Sequence, residues 1–391
     1  MRGAPRPGGI PEITALELAR ALERGEPAQV LDVRLPVRVA AGRIDVAPPG
    51  RFRNRLGSQV LAARDLAELE LDPARPVTVV CGHGNTSREV AAHLRSLGCP
   101  AASLQGGMAA WMALVLPREL EPVAGLDRLV QFDRIGKGSL GYLLVSDGEA
   151  LILDPPRDAA AFLEAAAACG ARVVGVADTH VHADYISGAA RLSAELGVPY
   201  HLHPADGSYP YDGTPGRLKL NPLADGDVLR VGRCELTARH TPGHTEGSIS
   251  FLAGEAAAFT GDFVFVATLG RPDLAGKSSE WAARLWESLQ RARREWPPAM
   301  WIYPAHYAER SERRPDGAVG ERFGDLLGRN EGFQPGDREE FLRWVEARGA
   351  GFPDAYRTIK AVNVGLVEVD EAGAEELEVG RNECALGGRQ A

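Results

Sequence analysis

The sequence predicts a mixed α/β protein made of two successive units, a small α/β unit with a parallel sheet and then a larger αββα sandwich. Three observations predict it. The chain has 391 residues, more than a single hydrophobic core usually organises. Up to about Trp111 short apolar strands alternate with helical stretches, the rhythm of parallel strands joined by crossovers. From about Leu126 the rhythm changes to strand pairs around tight turns, with helices between them.

In the first unit, residues 10–25 read as a helix with Leu16, Leu18, Ala19, Ala21 and Leu22 on its apolar side. Gln29–Arg34 and Pro76–Cys81 read as buried strands, and Ser87–Leu97 as a helix that Gly98 ends. Leu116–Gly125, with Pro117 and Pro122, reads as the linker between domains at 1–116 and 126–391. In the second unit Leu140–Val145 and Ala150–Leu153 pair around Asp147-Gly148, and Ser248–Leu252 pairs with Ala256–Phe259 around Gly254. Asp158–Cys169 is an Ala-rich helix, Val173–Ala177 a buried strand, Trp281–Arg294 a helix and Met300–Tyr303 a strand. The part from about 307 to 391 reads as a mainly helical extension with one short strand at Leu366–Val369.

Composition narrows the function classes. Hydrophobic residues make up 45% and charged residues 25%, as in ordinary soluble proteins. The formal charge of −9 argues against nucleic acid and anionic membranes as partners, because both recruit positive charge. No apolar run approaches the roughly 18 residues of a membrane span. The Gly/Pro-rich start, Met1 to Ile10, lacks the apolar stretch of a signal peptide. The five cysteines (Cys81, Cys99, Cys169, Cys234 and Cys384) are odd in number and widely spaced, which fits a reducing cytoplasm.

The chemistry concentrates at strand ends, where α/β folds place ligands. Thr179-His180-Val181-His182-Ala183-Asp184-Tyr185 follows a buried strand, and alternate residues of an extended segment face one side. His244, Asp262 and His306 lie in Thr241-Pro242-Gly243-His244-Thr245, Thr260-Gly261-Asp262 and Tyr303-Pro304-Ala305-His306. His201, His203 and His240 read as plain strand or loop residues. Cys81 closes a strand in Val80-Cys81-Gly82-His83-Gly84-Asn85-Thr86-Ser87, just before a helix. Loop amides and the positive end of that helix suit a thiolate or a bound persulfide.

The histidine pattern resembles the metallo-β-lactamase superfamily from about Leu126 to His306, with Tyr185 where the last His of HxHxDH stands. Together with Gly270-Arg271-Pro272-Asp273-Leu274, it looks like the persulfide dioxygenase branch. That resemblance implies one Fe(II) per chain held by His180, His244 and Asp262, with zinc as the alternative. It gives His182, Asp184 and His306 the role of orienting the ligands and polarising substrate, while Tyr185 fits either a hydrogen bond in the pocket or plain packing. Arg271 is a candidate substrate contact. The implied reaction converts a low-molecular-weight thiol persulfide and O₂ to sulfite and thiol.

Residues of about 10–113 resemble a single rhodanese domain, on Leu31-Asp32-Val33-Arg34, Ala41-Gly42-Arg43-Ile44, the Cys81 loop and Leu104-Gln105-Gly106-Gly107-Met108. This implies that Cys81 is a sulfur-carrying nucleophile. Thr86 stands where such loops often carry Arg, and Arg43 where a His is usual; His83 and Arg88 are candidate replacements for the missing loop charge. Two other readings compete with the dioxygenase: a zinc thioester hydrolase of the glyoxalase II type, and a non-enzymatic sulfur-trafficking protein. A homo-oligomer with its interface on the C-terminal extension is compatible with the sequence.

Overall fold

The structure, a computed structural model, describes residues 9–26, 28–45, 49–123, 125–349 and 351–387. Most of the Gly/Pro-rich start lies outside the described residues. The chain divides into two compact units. One runs to Leu114 and takes in Arg134–Lys137 and Val379–Arg381; the other holds Val115–Asp133, Gly138–Glu378 and the residues from Asn382 on.

The first unit is a five-stranded sheet in the order Glu12–Ile13, Ala101–Leu104, Val77–Val80, Gln29–Asp32, Phe52–Asn54, with every pairing parallel. The segment read as one helix over 10–25 begins instead with the edge strand Glu12–Ile13. The helix proper is Ala15–Glu23, started by Thr14 in a capping box with Glu17. Leu31, Val77, Val79, Val90, Ala91 and Leu94 share one core, so the strand before Cys81 and the helix after it are both anchored.

The second unit holds a seven-stranded and a six-stranded sheet. The first runs in the order Asn221–Pro222, Tyr200–Leu202, Arg172–Ala177, Glu149–Leu153, Ser139–Ser146, Arg128–Arg134, Val115–Leu120. The second runs Val228–Val231, Cys234–His240, Ile249–Ala253, Ala257–Gly261, Trp301–Pro304, Glu321–Arg322. Period-two alternation explains the layering. Leu140, Tyr142, Leu144, Leu151 and Leu153 pack with Leu236, Phe251 and Phe259 of the other sheet. Their neighbours Leu143, Val145, Ala150 and Ile152 pack outward on Phe162 and Ala166 of helix Ala160–Ala168 and Leu192 of helix Ala189–Leu196. Helix Ser278–Glu295 covers the second sheet through Ala282, Leu285, Leu289 and Ala292. The fold is therefore an α/β domain with a parallel sheet followed by an αββα sandwich.

Two further sequence expectations fail. The first half of Leu116–Gly125, read as linker from its prolines, lies in Val115–Leu120, the edge strand of the seven-stranded sheet, and an edge is where a sheet tolerates Pro117. Leu366–Val369 forms no strand: Gly365 turns the chain at φ +75°, and the segment runs on with no strand to pair with. Among the described residues no helix is long and apolar enough to cross a membrane.

Candidate functional site

Strands Cys234–His240 and Ala257–Gly261 are each antiparallel to Ile249–Ala253, hence parallel to one another, and Trp301–Pro304 is parallel to Ala257–Gly261. Their C-terminal ends thus share one edge, and His244, Asp262 and His306 follow them directly. The loop of residues 178–185 after strand Arg172–Ala177, called the metal loop below for its candidate ligands, is tied to the same edge, where the Ile249 amide donates to the Thr179 carbonyl at 2.8 Å. Asp206 fixes the loops further: it accepts from the amides of Val181 and Gly247 at 2.8 Å and from Thr245 Oγ1 at 2.7 Å. Gly270 must be glycine, since a Cβ there would sit 1.9 Å from the Asp262 carbonyl oxygen.

His180, His244 and Asp262 are fully buried, and each offers one ligand atom within 4.8 Å of the others. Asp262 Oδ2 lies 3.6 Å from His180 Nε2 and 3.4 Å from His244 Nε2. Among the described residues none of these three atoms has a hydrogen-bond partner. Buried polar atoms are normally satisfied, so three orphans facing one point fit a cation between them.

Their other polar atoms are all engaged. His244 Nδ1 faces the Arg271 carbonyl at 2.8 Å; a carbonyl only accepts, so Nδ1 carries the proton and Nε2 keeps its lone pair. The Thr179 hydroxyl donates to Asp154 at 3.0 Å and so accepts from His180 Nδ1 at 2.9 Å, which frees His180 Nε2 in the same way. Asp262 Oδ1 accepts from His306 Nδ1 at 2.7 Å. Burial, then the neighbouring imidazoles, pushes His180 well below its ordinary value. Burial outweighs Asp262 at His244 and lowers it to about 4. Both rings are neutral at physiological pH, as ligation requires.

His182 is oriented differently. Its Nε2 lies 3.1 Å from Asp154 Oδ1 and 2.9 Å from Tyr185 Oη, and the Tyr185 ring stacks on it at 4.3 Å. Burial opposes its protonation, but Asp154 and Asp178 prevail and hold it above the ordinary value. His306 Nε2 lies 3.2 Å from Asp184 Oδ2; burial again opposes, and Asp184 with Asp262 raises His306 to about 10. Arg271 is buried, and its guanidinium grips both oxygens of Asp273 at 2.6 Å. His203 and His240 stack on each other, and neither belongs to any of the metal-capable clusters among the described residues.

Sequence reasoning passed over Asp154, Thr179, Asp206 and Asn363. Asp154 sits at φ +50°, a strained conformation that its bonds to the Thr179 amide and hydroxyl and to His182 maintain. Its signal was present: it ends a strand just before two prolines, as the other site residues end theirs.

In the first unit, Cys81 Sγ accepts from the Gly84 amide at 3.1 Å and lies 3.2 Å from Ser87 Oγ, which in turn meets Ser103 Oγ at 2.8 Å. Helix Asn85–Ser96 starts immediately after, from Gly84 at φ +92°. Gly107 lets the next segment pass the loop, for a Cβ there would lie 2.5 Å from the Cys81 carbonyl oxygen. His83 is exposed, while Arg88 is drawn to Glu12 at 2.7 Å and Arg43 lies over the Phe52 ring.

Residues 14–114 match the rhodanese-like domain model and residues 135–318 the metallo-beta-lactamase superfamily model. The chain is a rhodanese-like domain fused to a metallo-beta-lactamase domain. The metallo-beta-lactamase domain is similar to human "Persulfide dioxygenase ETHE1, mitochondrial", 33% identical over 40% of this chain and 59% of that protein. It is also similar to hydroxyacylglutathione hydrolase of Acidiphilium cryptum, 38% identical over 33% of this chain and 50% of that protein. The chain thus spans half to three-fifths of the length of these two relatives. Among solved structures, a metallo-beta-lactamase from Staphylococcus aureus superposes with a TM-score of 0.55 at 26% identity, over 62% of this chain and 74% of that one.

Proposed function

We propose that the metallo-beta-lactamase domain is a persulfide dioxygenase with one Fe(II), and that the rhodanese-like domain is a sulfurtransferase acting through Cys81. In the first reaction one thiol persulfide, such as glutathione persulfide, one O₂ and one water give one thiol, one sulfite and two protons. The observation that carries this reading is the orphaned trio of His180 Nε2, His244 Nε2 and Asp262 Oδ2, with His182 turned away to Asp154 and Tyr185. Two imidazoles and one carboxylate on one face leave positions for both substrate and O₂, and Fe(II) bound there supplies the redox chemistry. The human relative, named for persulfide oxidation, supports the same choice.

The chain's own residues prepare that site. Thr179 and the Arg271 carbonyl set the two imidazole tautomers, and His306 steers Asp262 so that one oxygen is left for the metal. At Cys81 the thiolate attacks the sulfane sulfur of a donor persulfide; the donor leaves as its thiolate and Cys81 holds the persulfide. The Gly84 amide, pointed at Sγ from the start of a helix, stabilises that negative charge. Cys81 is a free cysteine, as this chemistry requires.

A zinc thioester hydrolase is the second reading. It is favoured by the hydroxyacylglutathione hydrolase relative and by Asp184, His306 and Cys384, whose ligand atoms lie within 4.8 Å of one another and offer a place for a second ion. The deciding experiment purifies the protein without oxygen, measures its metal, and follows O₂ uptake and sulfite with glutathione persulfide. Iron, with O₂ consumed in step with sulfite formed, is expected. Zinc with thioester cleavage and no O₂ uptake would overturn the proposal.

A further inference from the structure

The C-terminal segment brings a buried charge to the metal loop. Helix Ala355–Asn363 is docked there by Asn363: Nδ2 donates to the carbonyls of His182 at 2.9 Å and Tyr185 at 2.8 Å, and Oδ1 accepts from the Ser187 amide at 2.9 Å. Lys360, one turn earlier on the same face, is fully buried, and its ammonium has no hydrogen-bond partner among the described residues. The rings of Tyr211 and Trp281 flank it, with centroids at 5.8 and 6.0 Å.

Besides burial, Asp206, the Cys384 thiol and Asp273 reach Lys360 with their fields. Both carboxylates are committed elsewhere, Asp206 to the loop amides and Thr245, Asp273 to the Arg271 fork. Burial lowers Lys360 only to about 8, so it stays mainly cationic at neutral pH. The helix that carries Lys360 is the one Asn363 ties to the His182 and Tyr185 carbonyls, and the Lys360 charge acts on both His180 and His244. A buried ammonium that no carboxylate hydrogen-bonds is strongly unfavourable, and a ligand anion paired with it would relieve that cost.

We propose that Lys360 Nζ is an anion-binding group of the metal pocket, pairing with the sulfur-centred anion of the substrate or product: the persulfide before reaction, sulfite after it. This rests on the dioxygenase reading for the identity of the anion. The charge and its burial hold without that reading.

The test is calorimetric titration of the oxygen-free, metal-loaded full chain with sulfite, and separately with glutathione, whose anionic groups at neutral pH are carboxylates. It compares wild type with Lys360→Met and Lys360→Arg. Lys360→Met should bind sulfite at least about tenfold more weakly with its metal content unchanged, while Lys360→Arg retains most of the affinity. The thermal midpoint of Lys360→Met should rise, because an unpaired buried charge has been replaced by an apolar chain. Unchanged sulfite affinity in Lys360→Met would overturn the proposal, and so would a loss confined to glutathione. A fall in both midpoint and metal content would assign Lys360 a structural role instead. Lys360-dependent sulfite binding in a protein that takes up no O₂ would uphold the anion site and remove the dioxygenase.

Discussion

At the scale of single residues, the centre is a problem of pointing lone pairs. An imidazole can ligate through either nitrogen, and the bond at the far nitrogen decides which. Here one decision is made by the Arg271 carbonyl and the other by Thr179, itself held by Asp154. Replacing Asp154 by Ala should therefore weaken the metal about 10–100-fold in a chelator-competition assay, although Asp154 is not among the three ligands. Unchanged affinity would show that Thr179 holds its direction without help. The six charged or imidazole positions of the cluster were legible because each follows a strand: His180, His182 and Asp184 alternate along one segment, and His244, Asp262 and His306 have Gly or Pro within two residues before them. Lys360 and Asn363 were not, for a lysine in an amphipathic helix reads as solvent-facing until the fold buries it. Arg271 was singled out by its motif as a side chain, yet its carbonyl is what touches a metal-site residue, and sequence carries no signal for that.

At the scale of elements, parallel strand ends and short loops do the positioning. The Gly270 contact is the tightest case: a Cβ 1.9 Å from the Asp262 carbonyl must displace the backbone that carries a proposed ligand. Gly270→Ala should cost most of the bound metal while the far-ultraviolet circular dichroism stays native; full metal retention would contradict this. Asn363 joins the C-terminal helix to the metal loop by three hydrogen bonds. Asn363→Leu leaves two buried carbonyls and an amide unsatisfied and should cost about 1–3 kcal/mol in urea unfolding. A change within error would mean that water replaces the side chain. Long apolar strands and the helix Ser278–Glu295 were readable from periodicity. Glu12–Ile13 and Phe52–Asn54 were not, because two or three residues cannot display a period. Val115–Leu120 was hidden by Pro117, whose missing amide is harmless only because that strand lies at an edge.

At the scale of the whole molecule, the chain joins a rhodanese-like domain to a metallo-beta-lactamase domain, and the proposed function gives each its own reacting group. Cys81→Ser should abolish persulfide labelling of the rhodanese-like domain and leave the metal content unchanged; loss of metal would contradict separate centres. The buried lysine adds a pH signature. Its folded value of about 8 lies below the ordinary 10.5, so between these the unfolded chain holds a proton that the folded chain lacks. Raising the pH through that window therefore favours the folded wild type, and lowering it removes the gain. The stability advantage of Lys360→Met should shrink by roughly 1–3 kcal/mol from pH 8 to pH 10.5 in denaturant unfolding, and a gap independent of pH would contradict the buried cation. The fold itself was legible at this scale from the switch between crossover and paired-strand rhythms. The central claim is one metal ion held by His180, His244 and Asp262, and its most direct measurement is an oxygen-free Fe(II) titration of metal-stripped protein. The account predicts a single equivalent per chain, lost in His244→Ala and kept in Asp184→Asn. Two equivalents in the wild type, one of which disappears in Asp184→Asn, would contradict it.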